Sequence, residues 1–548
     1  MATSKVINLL VGKSAKGKYP AVQGSELSVN MYKSDNGGIQ FLESVPGLKR
    51  IYQIGGKCRG VYVSTRGLQA ERSSEDLFAC MGNVVYRLKE TEKQKLFTVS
   101  PGTQRMCFAE TGGPVPILLC ADGFNLHSYN LLTGSYRKIQ LPTAVEQDGH
   151  VVKPTHVAVI DGCIVINDTE SSYCYYSIRY PLAYSTRSVF DLENGQVQYE
   201  ADGITVKMKD VDPFDWVFYD DYHTQQFFLS TGSSDCVNGL ISVGNYLYVF
   251  GPKSVEVKSY QGGEYATWSD LYFSAQSTFG LESPNSLCQV GNTVFFLSAG
   301  QQRGKCIMAA TGTNFEVISD QWLDEKLESE VTDTAYIFPY STSHHMFIVL
   351  QANTIGETWC FDLSTKEWHQ RTSRDRNTDL EKQWRVGGVA YWHEKFYAFT
   401  NDGLFCWFTG WVEQWKDDVE LPMVRHRQGP VFASDNRPFV IEELALECNV
   451  GCHDSIYEKD GNGNTVFEGD QPKEKKPEVL LEVSKDGGMT FGNTRSASFG
   501  LKGHFSHRVR WHALGMTRLA VVRITFSEPM DFVLTDCDVR AGRTGCMI

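Results

Sequence analysis

Short runs of Val, Ile, Phe and Tyr recur along most of the chain, and each run is bounded by Gly, Asn, Asp or Ser. Runs of this kind with turn-forming residues at both ends are typical of β-strands, and helical spacing is scarce. The clearest unit spans residues 344–368, where the order is strand, loop, strand, tight polar turn and strand. The pattern therefore predicts an all-β protein.

The first strand of these units recurs at a regular interval. Its occurrences begin at Gly60, Met106, His156, Leu240, Leu287, Tyr336 and Gly388. The intervals are about 46, 50, 84, 47, 49 and 52 residues, which is the period of four-stranded propeller blades. We interpret residues 177–228, within the long interval, as an insertion; a degenerate extra blade is the alternative. The prediction is a six- or seven-bladed β-propeller over residues 51–428, preceded by an N-terminal arm and ring-closing segment over residues 1–50.

Near residue 428 the blade pattern stops, and the remaining chain alternates apolar and polar residues with a period of two, as in residues 478–483 and 519–526. Such alternation is typical of antiparallel sheets with one buried face. We therefore predict a C-terminal antiparallel β-sandwich-like domain over residues 429–548. Residues 453–478 contain too few apolar side chains for a core and are expected to be exposed, either as a hairpin or mobile loop or as a docking finger for a partner.

One helix is predicted, over residues 320–331, where Trp322, Leu323, Leu327 and Val331 form an apolar stripe beside acidic residues. We interpret it as an amphipathic connection between blades.

Composition narrows the class of protein. The chain has 548 residues, of which 42% are hydrophobic, and 52 Lys and Arg against 65 Asp and Glu give a net charge of −13. This content supports a real core and argues against disorder. The acidic balance argues against a protein that wraps DNA on a basic surface.

The 15 cysteines are odd in number, and many lie inside apolar runs. We expect free thiols that act as small hydrophobic residues in a reducing cytoplasm. No signal peptide opens the chain, and no run approaches the roughly 20 apolar residues that span a bilayer. We therefore predict no membrane anchor.

Three motifs resemble cofactor or metal sites but lack essential residues. Residues 12–18 have phosphate-loop spacing, yet Tyr19 stands where Ser or Thr should hold magnesium. Residues 460–464 begin like a calcium loop, but position twelve is Gln471. Cys448, Cys452 and His453 have no second pair at zinc-finger spacing. We expect no cofactor and no metal.

Residues 484–491 fit the Asp-box pattern through Ser484, Asp486, Gly488, Thr490 and Phe491. Physically this pattern is a hairpin turn in which the Asp accepts hydrogen bonds from the turn backbone. Sialidase propellers carry several such boxes, whereas this chain has one, outside the repeats. A structural turn is the interpretation we favour.

A period of two over residues 504–512 puts His504, Arg508, Arg510 and His512 on one face of a strand. This basic strip is interpreted as a solvated sheet face or, alternatively, as a contact with an acidic partner subunit. No serine-elbow, Cys-His or paired-carboxylate constellation rises above chance, so we predict a protein for contacts and not an enzyme. The alternative is a sialidase-like glycan hydrolase or a receptor-binding propeller on a virion.

Both ends of the chain resemble the packaged-DNA stabilisation proteins, or tail hub proteins, of short-tailed bacteriophages. The resemblance rests on Asn30-Met31 followed by Pro46-Gly47 and Arg59-Gly60, and on residues 443–447, 486–487, 507–511 and 535–540 in the same order. It covers roughly residues 25–65 and 430–541.

This resemblance implies a structural protein of the virion tail that assembles in the host cytoplasm, below the portal and its adaptor. A hexameric ring of copies would close the DNA-filled head and form part of the ejection channel. The implied partners are the portal adaptor and tail needle, tailspike or tail fibre proteins. Double-stranded DNA would pass without sequence-specific binding. From the net charge we hypothesise that the lumen is acidic, which would repel the phosphates. The resemblance carries over no catalytic residue.

Overall fold

The computed structural model describes residues 3–6, 13–17, 19–64, 75–113, 115–145, 149–191, 196–220, 224–230, 236–262, 268–272, 279–299, 304–331, 334–342, 344–433, 437–458, 460 and 464–543.

The N-terminal segment is built from short strands and one helical turn. They are β1 (Thr3–Val6), β2 (Ala15–Lys16), α1 (Pro20–Gln23), β3 (Ser25–Val29), β4 (Met31–Asn36), β5 (Ile39–Ser44) and β6 (Leu48–Gln53).

Four-stranded antiparallel units follow along the chain. Blade 1 contains β7 (Cys58–Ser64), β8 (Asp76–Met81), β9 (Val84–Leu88) and β10 (Lys93–Thr98), and blade 2 contains β11 (Cys107–Glu110), β12 (Ile117–Ala121), β13 (Leu126–Asn130) and β14 (Tyr136–Ile139). Blade 3 contains β15 (Val157–Ile160), β16 (Cys163–Asn167), β17 (Tyr173–Tyr176) and β22 (Phe227–Leu229). An insertion between β17 and β22 contains a 3-10 turn (Pro181–Ala183), β18 (Thr186–Ser188), β19 (Phe190–Asp191), β20 (Gln196–Val197) and β21 (Met208–Asp210).

Blade 4 contains β23 (Gly239–Val243), β24 (Tyr246–Phe250), β25 (Val255–Tyr260) and β26 (Trp268–Tyr272). After a 3-10 turn (Pro284–Ser286), blade 5 contains β27 (Cys288–Val290), β28 (Thr293–Ala299), β29 (Lys305–Thr311) and β30 (Asn314–Val317). The helix α2 (Gln321–Leu327) leads to blade 6, which contains β31 (Tyr336–Ser341), β32 (Met346–Ala352), β33 (Glu357–Asp362) and β34 (Glu367–Arg374), with β35 (Glu381–Gln383) beside β34. Blade 7 contains β36 (Val386–Trp392), β37 (Lys395–Thr400) and β38 (Leu404–Phe408), with β39 (Val412–Gln414) and β40 (Glu420–Pro422) at its outer end.

The ring closes through the N-terminal segment. Strand β6 pairs antiparallel with β38 and so becomes the fourth strand of blade 7. Strand β36 also packs against β7 of blade 1. Among the described residues these units number seven, and each first strand begins within two residues of its predicted position. The predicted propeller is confirmed.

Each interface between neighbouring blades has its own apolar cluster. Between blades 1 and 2, for example, Phe78, Cys80, Leu118 and Cys120 are buried together. The cysteines of the described residues are free thiols, most of them buried. Burial raises the pKa of Cys288 to about 12, so this thiol stays neutral and contributes by packing.

The helix prediction is confirmed for α2, which buries Trp322, Leu323 and Leu327 between blades 5 and 6. Its predicted end was wrong, because the helix stops at Leu327 and Val331 is exposed beyond it. In the described ranges no helix is long and apolar enough to cross a membrane.

The C-terminal region forms two packed antiparallel sheets, which confirms the sandwich. Its strands are β41 (Arg425–Gln428), β42 (Phe432–Ala433), β43 (Phe439–Cys448), β44 (Phe467–Glu468), β45 (Gln471–Pro472), β46 (Glu478–Ser484), β47 (Arg495–Ser498), β48 (Val509–Thr517), β49 (Leu519–Phe526) and β50 (Leu534–Arg543). One sheet has the order β4-β5-β50-β43-β48, and the other contains β3-β41-β49-β46-β47. The alternating residues of both sheets meet in one core that includes Leu444, Trp511 and Ile524.

The propeller and the sandwich share a sheet. Strand β3 lies parallel to β34 of blade 6 through the pair Val29 and Gln370, and antiparallel to β41 on its other side. The sheet of blade 6 therefore continues into the sandwich. We call this region, with the corner between β3 and β4, the joint.

Candidate functional site

The joint is organised around Asn30, the first residue of the family-like motif. Asn30 is buried and has a φ of 53°, a left-handed conformation that Asn tolerates better than most residues. Its side-chain nitrogen donates to the hydroxyl of Thr372 at 2.9 Å and to the carbonyl of Val424 at 2.8 Å, and its side-chain oxygen accepts from the amide of Thr372 at 3.0 Å. One side chain thus ties the corner between β3 and β4 to blade 6 and to the approach to β41.

The other N-terminal motif residues serve packing and closure. Met31 is fully buried in the sandwich core. Pro46 is half-buried and precedes Gly47, which is buried where β6 enters blade 7. A Cβ on Gly47 would lie 2.6 Å from the amide nitrogen of Val412 and closer still to its carbonyl oxygen. Only glycine allows this approach, so Gly47 fits the ring-closing segment against β39.

Arg59 and Gly60 lie at the boundary between blades 1 and 2. The guanidinium of Arg59 donates to the carbonyl oxygens of Gln104, Gly82 and Ser100 at 2.8, 3.2 and 2.8 Å. A Cβ on Gly60 would lie 2.9 Å from the ring of Phe108. These motif residues therefore position neighbouring blades.

Two buried arginines in β41 complete the joint, and the sequence analysis missed both. Arg427 donates to the hydroxyl of Ser28 at 3.0 Å and to the carboxylate of Glu26 at 2.8 Å. Arg425 donates to the carbonyl oxygens of Met530, at 2.6 Å, and Glu528. Because β41 lies between β3 and β49, these contacts hold N-terminal and C-terminal segments together.

In the sequence, Arg425 and Arg427 are two residues apart in a short strand, and this spacing could have pointed to them. Burial lowers the pKa of Arg425 to about 10, although nearby acidic residues oppose this shift. The group therefore stays charged at neutral pH. Three hydrogen-bond acceptors around it compensate for burial of the charge.

The Asp-box residues form a turn between β46 and β47. Asp486 accepts from the amide nitrogens of Met489 and Thr490 at 3.0 and 2.9 Å and from the hydroxyl of Thr490 at 2.5 Å. These hydrogen bonds, with one from Ser484, lower the pKa of Asp486 to about 2. The carboxylate is fully used by its own turn.

The remaining residues of the box anchor that turn to the sandwich. The hydroxyl of Ser484 accepts from the amide of Gly488, which has a φ of 99° and lies against Pro20. The ring of Phe491 lies 4.0 Å below the guanidinium of Arg523. The arrangement has the geometry of a structural turn.

The predicted basic strip is shorter than expected. Strand β48 begins at Val509. His504 lies in a turn, where its amide donates to the carbonyl of Leu501, so the prediction that His504 lies on the strand face was wrong. A turn closed by the amide of His507, which donates to the carbonyl of His504 at 3.0 Å, delays the strand to Val509. Arg508 also precedes the strand, although it is exposed. Within β48, Arg510 and His512 point outward while Val509 and Trp511 are buried. Arg510 pairs with Glu443 at 3.3 Å, as expected on a solvated face.

Two hairpins project from the body. The propeller finger, residues 186–191 and 196–210, is the insertion of blade 3 and exposes Tyr199, Ile204, Val206 and Met208. The sandwich finger, residues 456–458 and 464–475, exposes Tyr457 and Phe467. An ion pair of 2.7 Å between Lys475 and Glu528 fixes the sandwich finger to the body. The polar segment 453–478 is thus described as a hairpin over most of its length.

The propeller encloses a central cavity of about 850 Å³ lined by the first strands of the blades. Arg105 lies at this centre, donates to the carbonyl oxygens of Cys58 and Gly387 at 3.2 and 2.8 Å, and stacks 4.6 Å from the ring of Tyr336. It therefore crosslinks blades 1, 2, 6 and 7. The described residues contain no cluster of three or more metal-ligating side chains.

The fold is a propeller fused to a sandwich through a shared sheet, and its motif residues serve packing, ring closure and the joint. These features define a class of rigid all-β structural proteins. Comparison with known families places the chain within this class. The sequence model of "Bacteriophage P22 Gp10, beta-propeller" matches residues 179–400, and that of "Bacteriophage P22 Gp10, beta-sandwich" matches residues 425–542. These matches cover more than half of the chain, which belongs to this family of short-tailed phage head–tail stabilisation proteins. It is a bacteriophage structural protein.

Among solved structures, similarity is distant. The extracellular domain of a one-component system from B. thetaiotaomicron has 11% identity and a TM-score of 0.38, covering 88% of this chain and 58% of its own. BamB from Moraxella catarrhalis has 11% identity and a TM-score of 0.31, covering 73% and 97%. The computationally designed Ika8 protein has 12% identity and a TM-score of 0.31, covering 72% and 100%. No curated protein matches the sequence.

Proposed function

We propose that this protein is the tail hub, or nozzle, of a short-tailed phage. In this role it assembles below the portal and adaptor, closes the DNA-filled head and forms part of the channel through which DNA is ejected. The observation that carries the proposal is the match of both domains, in chain order, to one family of phage structural proteins. Its location would be the virion tail, after assembly in the host cytoplasm.

The internal construction supports a role in a mechanical assembly. The shared sheet, the Asn30 corner and the buried arginines of β41 hold the two domains in one orientation. A ring of copies, which we propose to be a hexamer, needs such rigid subunits because closed symmetry requires every interface to repeat the same angle.

The exposed fingers are the parts of the chain best suited to contacts with other proteins. Ile204 at the end of the propeller finger is 83% exposed, and Phe467 on the sandwich finger is 61% exposed. Apolar side chains held on two-stranded hairpins gain stability when a partner covers them. We propose the portal adaptor and a tail needle, tailspike or tail fibre protein as partners.

The charge supports a conduit for DNA and not a DNA-gripping protein. A net charge of −13 repels phosphate groups at a distance and lowers non-specific adhesion. We propose that double-stranded DNA passes through the assembled ring without sequence-specific contacts.

The test is negative-stain microscopy with mass measurement on the full chain, alone and mixed with a portal–adaptor assembly. We expect rings of uniform copy number that attach to the adaptor end of the assembly. A chain that stays monomeric and does not bind the assembly would contradict the proposal, as would rings with a basic channel that retain DNA at physiological salt.

Single-residue variants show whether the propeller finger takes part. Ile204→Ser removes the most exposed apolar side chain of the finger, and Leu380→Ser removes a comparably exposed one, at 65%, beside β35. We expect Ile204→Ser to weaken ring formation or adaptor binding and Leu380→Ser to have no effect. Equal behaviour of the two variants would exclude a specific role for the finger. It would not decide the tail-hub proposal, which the microscopy tests separately.

A further inference from the structure

A buried histidine in the joint is held in its neutral form by its neighbour. The Nε of Arg371 donates a hydrogen bond to Nε2 of His369 at 3.3 Å, and both side chains are buried. A guanidinium has donors and no acceptor, so Nε2 of His369 must keep its lone pair. Protonation of His369 would remove this hydrogen bond and place two positive groups against each other.

The surroundings of Arg371 do not offset a second positive charge. Its guanidinium lies among aromatic rings, 4.4 Å from Tyr340, 5.0 Å from Phe347 and 4.9 Å from Trp384. Within the described ranges no carboxylate forms an ion pair with Arg371. Burial, followed by the charges of Arg371 and His345, lowers the pKa of His369 well below its ordinary value.

Most of the other charged groups near His369 form pairs, whereas Glu43 accepts from the hydroxyl of Tyr32. His345, just before β32, and Asp362, at the end of β33, form an ion pair at 2.7 Å. From β4 and β34, Lys33 and Glu367 form another at 3.0 Å. Asp362, Lys33 and Glu367 border the small cavity beside His369, and each of the two carboxylates is held by its partner in a pair.

His369 also contacts the sandwich side of the joint. Tyr32, from β4, lies with its ring 5.0 Å from His345 and 6.0 Å from His369. Its hydroxyl donates to Glu43 on β5 at 2.9 Å. Because β4 and β5 belong to the sandwich sheet and His369 belongs to blade 6, a change at His369 acts directly on the contact between the two domains.

We propose that the joint is an acid-sensitive hinge, in which proton uptake by His369 loosens the attachment of β4 to blade 6 while the blades stay folded. In the open joint His369 faces water and titrates near its ordinary value of about 6.5. Above this pH neither state takes up a proton, so the joint keeps its full stability. Below this pH only the open state takes up a proton, so the equilibrium constant for opening the joint rises by up to about tenfold for each pH unit.

The test is hydrogen exchange with mass spectrometry on the full chain, at about pH 7 and about pH 5, after correction for the intrinsic exchange rate. We expect peptides from β4 and β34 to exchange up to about 30-fold faster at the lower pH. Peptides from β28 and β29 in blade 5, which contain no histidine or carboxylate, should change little. The proposal is overturned, before any variant is made, if the acid response is uniform along the chain or is larger in β28 and β29 than in β4 and β34.

His369→Gln provides the matched test, because its amide oxygen accepts from Arg371 but does not titrate in this range. We expect this variant to lose the acid response of β4 and β34. His156→Gln is the control, since His156 is also buried, with a pKa that burial lowers to about 4, but lies in blade 3 away from the joint. The proposal fails if His369→Gln keeps the native response or if His156→Gln abolishes it.

Discussion

The interfaces between blades and the joint between the domains are both buried, yet they are built from different chemistry. Blades 1 and 2 meet mainly through an apolar cluster that includes Phe78, Cys80 and Leu118, with the hydrogen bonds of Arg59 to backbone carbonyls beside it. The joint instead buries Asn30, Arg371, Arg425 and Arg427 with hydrogen bonds and aromatic contacts.

The difference has a physical reason. Apolar packing is strong but weakly directional, and it suits blades whose orientation is already fixed by ring closure. The sandwich has no ring to orient it. Buried polar groups tolerate few arrangements, because each unmade hydrogen bond is costly, so they fix the angle between the domains.

The largest expected effect is at Arg425. Arg425→Met keeps most of the side-chain volume but removes the guanidinium donor from the carbonyl oxygens of Met530 and Glu528, the second of which keeps the amide of Met530 as a donor. We expect a loss of about 3–5 kcal/mol in the free energy of unfolding. Urea denaturation followed by near-ultraviolet circular dichroism measures it. The exposed Arg508→Met should change stability by less than about 0.5 kcal/mol; equal losses would show that Arg425 is not specific to the joint.

Gly47→Ala tests ring closure by steric conflict. The added methyl group meets the backbone of Val412, so β6 must move away from β39. We expect a loss of about 2–3 kcal/mol, seen as a lower thermal midpoint and easier proteolysis of the N-terminal segment. The control is Gly112→Ala, because a Cβ on Gly112 meets nothing within 4 Å. An unchanged midpoint for Gly47→Ala would contradict the close approach of these strands.

Asn30 separates side-chain bonding from backbone conformation. Asn30→Ala loses the bonds to Thr372 and Val424, and it also places an unfavourable residue at a φ of 53°. We expect a loss of about 2 kcal/mol. Asn30→Gly loses the same bonds, but glycine adopts this backbone conformation without the steric cost. We therefore expect it to be less stable than the native chain by only about 1 kcal/mol. If both variants are as stable as the native chain in urea, the corner does not depend on Asn30.

The smallest effect should depend on pH. Glu413 is buried between blades 6 and 7, where it accepts from the hydroxyl of Ser373 at 3.0 Å, and burial raises its pKa to about 7 although Arg385 opposes the shift. The folded chain therefore holds a proton that the unfolded chain releases near pH 4.5. Native stability from this group is complete below about pH 4.5 and is lost as the pH rises through about 7.

Glu413→Gln removes this dependence. Relative to the native chain, the variant should gain about 1 kcal/mol at about pH 8 and little at about pH 5, since water and Arg385 relieve part of the cost of the buried charge. Thermal midpoints at the two pH values check the sign. A gain at the lower pH alone would contradict it.

The regular part of the fold was readable from the sequence because its determinants are local. Each first strand carries its own apolar run and turn residues, so seven starting points could be placed within two residues. The prediction of the basic strip was wrong at His504 because turns precede β48 there, and alternation alone does not show where a strand begins.

The candidate site was only partly readable. The motif residues Asn30, Gly47 and Arg59 were recognised by resemblance, but their contacts could not be derived. Asn30 bonds to a residue 342 positions away, and Arg427 bonds to Ser28 across 399 positions. No local pattern encodes such pairs.

The sequence by itself determined that this chain is an all-β propeller followed by a sandwich, because strand period, turn chemistry and repeat length act over a few residues. It also carried enough family-specific motifs to indicate a phage structural protein. Only the tertiary structure decided that β6 closes the ring, that blade 6 continues into the sandwich, and that buried Arg, Asn and His side chains fix the joint. These depend on which distant groups satisfy one another when removed from water, a property of the folded arrangement and not of any segment.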